Sequence, residues 1–223
     1  MTSRGPGLAS WENPLQRRPA GGGVRIPADS EILAVHERHA PTPEALDLVY
    51  THCLIVSDIA GQLHASSASE VDIGLVRAGC LLHDVGVYRL YDDAGRLDHA
   101  RYIRHGLLGH ELLRQEGFPE EICRFASRHT GVGITRDDVI RHGLPLPPCD
   151  YVAETREETL VMYADKFHSK TTPPTFLTAG AYAATVRRFG EGKVAAFHAM
   201  RAMFGEPDLA ALASAYGQRI VGD

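Results

Sequence analysis

A histidine beside an aspartate at the end of an apolar run is the first place in this sequence where chemistry can be done. The run Cys80-Leu81-Leu82-His83-Asp84-Val85-Gly86 sets an imidazole and a carboxylate side by side. Burying either group is costly unless it is hydrogen-bonded, ion-paired or bound to a cation. Within a helix, neighbouring side chains point about 100° apart and do not share a target. At a helix end the last turn can open, and the two can then converge. For the dipeptide alone, a simple hydrogen bond from backbone to Asp84 explains as much. Further positions shift that balance: His52 on an amphipathic helix, His105 in Arg104-His105-Gly106, His129 in Arg128-His129-Thr130-Gly131, and Asp165 in the apolar helical stretch around Tyr163-Ala164-Asp165-Lys166. Imidazole nitrogen together with carboxylate oxygen suits iron, manganese, zinc or nickel better than magnesium or calcium. Four or more such ligands on separate helices can build a metal centre in the core of a bundle.

The elements that must position these groups read almost entirely as helices. Ser30 is expected to cap a helix from Glu31 to His39, ended by Pro41. Thr42-Pro43-Glu44 starts the next, with Leu46, Val49, Tyr50, Cys53, Leu54 and Ile59 at helical spacing. Asp72 caps Ile73 to His83, and residues 87–100 read as a loop turning at Asp92-Asp93-Ala94-Gly95. Then follow Arg104 to Glu116, Glu120 to His129 after Pro119, and Arg136 to His142 after a Thr135-x-x-Asp138 capping box. Thr155-x-x-Glu158 opens a helix through about Ser169. Helices at 179–189, 191–204 and from Pro207 to about 220 complete the chain. No alternating run of useful length argues for a sheet, so the fold class is all-α, a multi-helix bundle.

Composition bounds the rest. The chain has 223 residues, of which 44% are apolar and 23% charged, enough for one real core. A net charge of −5 disfavours a general nucleic-acid binder. Cys53, Cys80, Cys123 and Cys149 are far apart with no CxxC, which argues against a disulfide scaffold and for a reducing cytoplasm. No apolar run approaches the roughly 20 residues of a membrane span. Residues 1–27 are rich in Gly, Pro and Arg and are expected to form a disordered tail; 28–170 form the domain with the metal centre, and 171–223 a helical extension packing on it.

The ordered set His52, His83-Asp84, His105, His129 and Asp165 resembles the HD-domain superfamily of metal-dependent phosphohydrolases, and Leu81-Leu82-His83-Asp84-Val85-Gly86 is similar to its HDIG subgroup. The likeness runs over roughly residues 30–170. It implies a first metal held by His52, His83, Asp84 and Asp165 and a second by His105 and His129, with Asp84 bridging. Two divalent transition-metal ions are therefore expected, iron or manganese first, with zinc, nickel, cobalt or magnesium able to substitute. Such ions can share a hydroxide that attacks phosphorus. No protein nucleophile is evident: there is no GxSxG, no cysteine beside a histidine partner, and no GxxxxGK[ST] phosphate loop.

Asp84 and Lys166 are the candidate catalytic groups, Asp84 as the shared ligand and Lys166 as a point charge for phosphate. Lys166, Arg128, Arg104 and Arg101 are the candidate substrate contacts, against the plainer reading that most of them are solvated. His110 and His168 need not share the ligands' face. His36, His39, His64, His142 and His198 read as surface or satisfied core residues. Phe167, Phe176, Tyr182, Phe189, Phe197, Phe204 and Tyr216 read as packing, with Phe176 a candidate pocket edge. Against the resembled family, the stretch after His129 lacks the Gly-Tyr-Pro of cyclic di-GMP enzymes, and the alarmone hydrolases' Glu-Asp element is missing. The substrate expected is a nucleotide or another small phosphoester, with no nucleic acid, no membrane, and an oligomer compatible with the sequence. Two other functions share the ligand set: a di-iron oxygenase cleaving a C–P or C–C bond, and a non-catalytic module that binds a nucleotide for regulation.

Overall fold

The structure, a computed structural model, describes residues 24–222. The tail expected at 1–27 thus lies outside the described residues except at its end, where Val24 packs against the core.

Seven helices build the part of the chain that carries the candidate ligands. Helix α1 spans Asp29–His39 and buries Ile32, Val35 and His36 at helical spacing. Its cap is not Ser30. The Glu31 carboxylate reaches back to accept from the Ala28 N–H at 2.9 Å, so the helix begins upstream of the serine. Helix α2, Pro43–Ser66, starts as its sequence asks: Thr42 Oγ1 accepts from Ala45 N–H at 3.1 Å, with Pro43 in the first turn. It is the central pillar, burying Val49, His52, Cys53, Ile55, Val56, Ile59, Ala60 and Leu63. Helix α3, Ile73–Leu82, capped by Asp72, packs on α2. Helices α4 (His105–Gln115) and α5 (Glu120–Arg128) pack on each other, and α5 also lies on α3. Helix α6 (Arg136–His142) carries the Thr135–Asp138 capping box and ends at Gly143 in the left-handed conformation. Helix α7 (Arg156–Ala164) lies against α2 and α3. Glu158 of α7 is buried and accepts from Arg124 of α5 at 2.7 Å, which ties those two helices together.

Three departures from the sequence reading matter for the site. The first is the stretch 87–100, which is not simply a loop. Val85–Leu90 and His99–Arg104 are 3₁₀ turns, flanking the expected turn at Asp92–Gly95. The first of them buries Val85, Val87, Tyr88 and Leu90, so tertiary burial overrides the turn residues nearby. The second is the end of α7. The helix stops at Ala164, continues as a 3₁₀ turn Asp165–Phe167, and becomes strand β1, His168–Ser169. The third is a small sheet where none was expected. Strand β1 pairs antiparallel with β2 (Thr175–Leu177), and β2 pairs parallel with β3 (Arg219–Val221), matching Phe176 to both His168 and Ile220. Strands of two or three residues show no alternation in sequence. The class is nonetheless all-α. Helices α8 (Ala179–Val186), α9 (Glu191–Phe204) and α10 (Leu209–Tyr216) lie between β2 and β3 in the chain.

Two apolar cores share α2. One gathers α1, α3, α4 and α5 around Val49, Cys53, Leu81, Leu82, Leu112 and Ile122. The other joins the C-terminal half of α2 to α7 and to Phe197, Met200, Phe204 and Leu212 from the last helices. Phe176 is fully buried in this second core, so it is packing and not a pocket edge.

His36 is a satisfied core histidine with a consequence for stability. Its ring is buried between the Tyr88 hydroxyl at 2.8 Å and the Leu81 carbonyl at 2.7 Å, partners that satisfy a neutral imidazole. Burial pushes its pKa down from the ordinary 6.5 to about 4. The unfolded chain therefore binds a proton that the folded chain refuses. Its contribution is complete above pH 6.5 and is lost as pH falls from there toward 4, by about 3 kcal/mol. Urea midpoints measured from pH 7 to 4.5 should fall, and should fall less steeply in His36→Gln. An unchanged slope in that variant would assign the acid sensitivity elsewhere.

Candidate metal centre

Each candidate ligand stands where a helix ends or is crossed by another. His83 and His129 follow the last residues of α3 and α5, and His105 is the first residue of α4. Asp84 has left the helix (φ −106°, ψ 7°), which swings its carboxylate back under His83. Asp165 begins the 3₁₀ turn after α7, and His52 projects from the middle of α2.

The structure brings all six side chains together. On one side, His52 Nε2 lies 3.0 Å from Asp165 Oδ1, 3.2 Å from His83 Nε2 and 3.2 Å from Asp84 Oδ2. His83 Nε2 is 3.4 Å from Asp165 Oδ1 and 3.5 Å from Asp84 Oδ2. On the other side, His105 Nε2 and His129 Nε2 are 2.9 Å apart, and each is 3.5 Å from Asp84 Oδ1. Ligand atoms bound about 2.0–2.2 Å from one ion stand roughly 2.9–3.6 Å from each other in octahedral or tetrahedral arrangements. The two halves of the cluster have those edge lengths and meet at the two oxygens of Asp84.

The hydrogen bonds outside the cluster fix which nitrogen faces in. His83 Nδ1–H donates to the Cys80 carbonyl at 2.7 Å, His105 to Tyr102 at 2.6 Å, and His129 to Ala126 at 2.7 Å. Each acceptor lies three residues earlier: the Cys80 and Ala126 carbonyls lie in the last turns of α3 and α5, where carbonyls lose their helical partners, and the Tyr102 carbonyl lies in the 3₁₀ turn before α4, where it also accepts the His105 backbone N–H. Burial, the largest influence, pushes His105 down to about 3 and also lowers His129, so neither ring carries a second proton at neutral pH. Two Nε2 lone pairs then confront each other, a repulsive arrangement that a shared cation relieves. Asp84 Oδ1, buried between them, has no hydrogen-bond partner. An orphaned carboxylate oxygen beside two inward lone pairs is the donor set a divalent transition metal takes.

Lysines complete the floor. Burial alone would raise the Asp84 carboxyl, but the Lys170 ammonium on its Oδ2 and the surrounding imidazoles hold it well below the usual carboxylate range. Asp165 is likewise held low against burial, chiefly by Lys166 and His52. Lys166 Nζ is itself pinned, donating to Asp165 Oδ2 at 2.6 Å and to the His129 carbonyl at 2.9 Å.

The cluster forms the floor of a cavity of about 660 Å³. Asp84, His105, His129, Asp165, Lys166 and Lys170 line its base, and Tyr102 stacks beside His105. Higher up, the wall is largely apolar, from Val132, Ile134, Leu144 and Leu177 to Tyr182 and Phe189. At the rim, Lys193 of α9 donates to Asp138 Oδ2 at 2.5 Å and to the Gly133 carbonyl at 2.7 Å, joining the last helices to the 131–138 segment.

The family model for the HD domain matches residues 49–170, more than half of the chain and the whole ligand set. The chain belongs to the HD-domain family. Over 120 residues this HD domain is 42% identical to an uncharacterized protein of Methanocaldococcus jannaschii, covering 52% of this chain and 64% of that one. It is 33% identical to proteins named tRNA (cytidine(56)-2'-O)-methyltransferase from Picrophilus torridus (65% of this chain, 37% of the relative) and Thermoplasma volcanium (54% and 32%). The HD-domain chain thus spans less than two thirds of these curated relatives. Among solved structures, the HD domain of the L. monocytogenes phosphodiesterase PgpH superposes with a TM-score of 0.51 at 18% identity, covering 83% of this chain and 98% of that one. Its complex with cyclic-di-AMP gives 0.50 at 20% identity, covering 86% and 100%. These likenesses establish the fold. No helix among the described residues is long and apolar enough to cross a membrane.

The three candidate arginines do not face the cavity. Arg101 is exposed and pairs with Asp98 at 2.5 Å. Arg128 is buried but turned away, donating to the Val152 carbonyl at 2.6 Å and pairing with Glu154 at 2.8 Å. Arg104 is half-buried and is not among the lining residues. Adjacency to a ligand in sequence says nothing of direction, since successive helical side chains diverge. Conversely, Lys170 and His168 reach the site, although the sequence reading gives Lys170 no role and leaves His168 off the ligands' face. In an extended segment residues two apart share a face, and that signal needed β1 to be recognised.

Proposed function

We propose that this HD domain hydrolyses a phosphoester of a nucleotide or another small phosphorylated compound at two divalent transition-metal ions, iron or manganese. His52, His83, Asp84 and Asp165 would hold one ion and His105 and His129 the other, with Asp84 between them. The observation that carries the reading is the division of five inward-facing ligand atoms, from His52, His83 and Asp165 on one side and His105 and His129 on the other, into two groups about the two oxygens of Asp84, one of them without a hydrogen-bond partner. When bound, such ions supply an activated water and neutralise charge on the phosphoryl oxygens.

The chain's own residues do the rest. The Nδ1 hydrogen bonds hold the imidazoles in the tautomer that ligates. Lys166, fixed by two acceptors, offers a stationary positive charge at the floor. Lys170 occupies Asp84 Oδ2, the position a cation would claim, and like charges would turn it toward the phosphoryl group instead. The apolar wall excludes water from the reacting end and suits the organic part of a small substrate. A phosphodiesterase HD domain of this fold, solved with cyclic-di-AMP, supports a nucleotide as the first class to assay. Methylation of tRNA is not carried over from the relatives, whose matched segments make up only 32% and 37% of their length.

The test is anaerobic assay of metal-free protein reloaded with manganese or iron, against a panel of nucleotides and phosphoesters. Metal-dependent phosphate release is expected. Lys170→Met should bind metal more tightly and substrate about tenfold more weakly, because one ammonium opposes the first event and assists the second. Product formation only with iron and dioxygen would overturn the hydrolase in favour of an oxygenase. Nucleotide binding without turnover under any metal would favour the regulatory module.

A further inference from the structure

His52 poses a problem that the other histidines do not. His83, His105 and His129 stand at helix boundaries, where carbonyls three residues earlier accept their Nδ1 protons. His52 sits in the middle of α2, where every carbonyl is engaged by the amide four residues on. Its Nδ1 must find a partner from elsewhere in the chain. That partner is His168 of β1, whose Nδ1 lies 2.8 Å away, the ring planes 28° apart and the centroids separated by 5.1 Å, as an in-plane N–H···N hydrogen bond requires. A neutral imidazole accepts on one nitrogen only if it donates from the other. His168 Nε2 lies 2.8 Å from Gln218 Oε1, an acceptor. The small sheet explains the meeting: Phe176 of β2 pairs with His168 on one side and with Ile220, two residues after Gln218, on the other.

We infer that Gln218, through His168, holds His52 in the tautomer whose Nε2 lone pair faces the metal centre, making it a positioning residue 166 positions from the ligand it serves. The inference rests on the metal-centre reading above and adds a part of the chain beyond residue 170 to it. Without the Gln218 acceptor the His168 proton is free to sit on Nδ1. His52 would then have to accept on its own Nδ1 and present an N–H, not a lone pair, to the site.

The experiment is zinc titration of metal-free protein by calorimetry, comparing wild type with Gln218→Leu and Gln218→Glu. Gln218 is half-buried, and circular dichroism checks that the helices persist. Leucine should weaken one of two zinc sites about 10- to 100-fold and leave the other unchanged, whereas glutamate, which keeps an acceptor oxygen, should stay within about threefold of wild type. Nitrogen-15 spectra of labelled histidines should place the His168 proton on Nε2 in wild type. Unchanged zinc binding in Gln218→Leu, equal loss at both sites, or a His168 proton on Nδ1 in wild type would overturn the relay. Wild-type protein that takes up no zinc, manganese or iron would overturn the metal-centre reading itself, and the relay with it.

Discussion

Asp84→Asn should strip the protein of both ions while leaving its fold in place. The side chain is buried, and asparagine keeps its shape, so the packing around it survives. What changes is the charge shared by the two halves. The amide offers one weak oxygen donor, and its NH₂ would point at imidazole nitrogens that already face inward. Metal analysis of protein purified without chelator should fall from about two ions per chain to a small fraction of one, and phosphoester hydrolysis by about 10³-fold or more. Circular dichroism should hardly change. A variant that keeps its full metal content would show that Asp84 is not the shared ligand. A variant that loses only one ion would show that the remaining ligands of one half hold their ion without Asp84.

The second large effect concerns the glycine two residues on. Gly86 lies where the 3₁₀ turn Val85–Leu90 runs directly beneath α4. A Cβ there would overlap the His105 carbonyl oxygen and the Gly109 amide nitrogen, and would come within 2.6 Å of Gly109 Cα. All three are backbone atoms of α4, which cannot rotate aside as a side chain can. Gly86→Ala should therefore lower stability by about 3 kcal/mol or more in urea unfolding. It should also weaken metal binding, because α4 begins with His105 and the turn begins just after Asp84. Stability within about 0.5 kcal/mol of wild type would mean the two backbones are less closely apposed than described. The glycine after the His-Asp pair is thus explained by packing: it lets the two segments that carry ligands of opposite halves touch.

The helical frame and the ligand set could be read from sequence for the same reason. Caps such as Thr42, Asp72 and Thr135 announce helix starts, and five of the six ligands, His83, Asp84, His105, His129 and Asp165, stand at or just beyond a helix boundary. What could not be read depends on contacts between distant segments. Lys170, His168 and Gln218 reach the site only because β1, β2 and β3 assemble, and strands so short leave no periodic trace. Arg101 and Arg128 pair with Asp98 and Glu154 and not with the cavity, because proximity in sequence to a ligand does not fix which way a side chain points. Ser30 lost its capping role to a carboxylate one residue later that reaches back to Ala28.

The Lys193–Asp138 bridge at the rim separates two kinds of change. The reactive base of the cavity comes from residues 52 to 170, and its width from the distance between segment 131–138 and helix α9. Substitutions along that bridge can enlarge or narrow the entrance without touching any group below it. Descendants of one ancestor can in this way diverge in the size of molecule they admit while inheriting the same reaction unaltered.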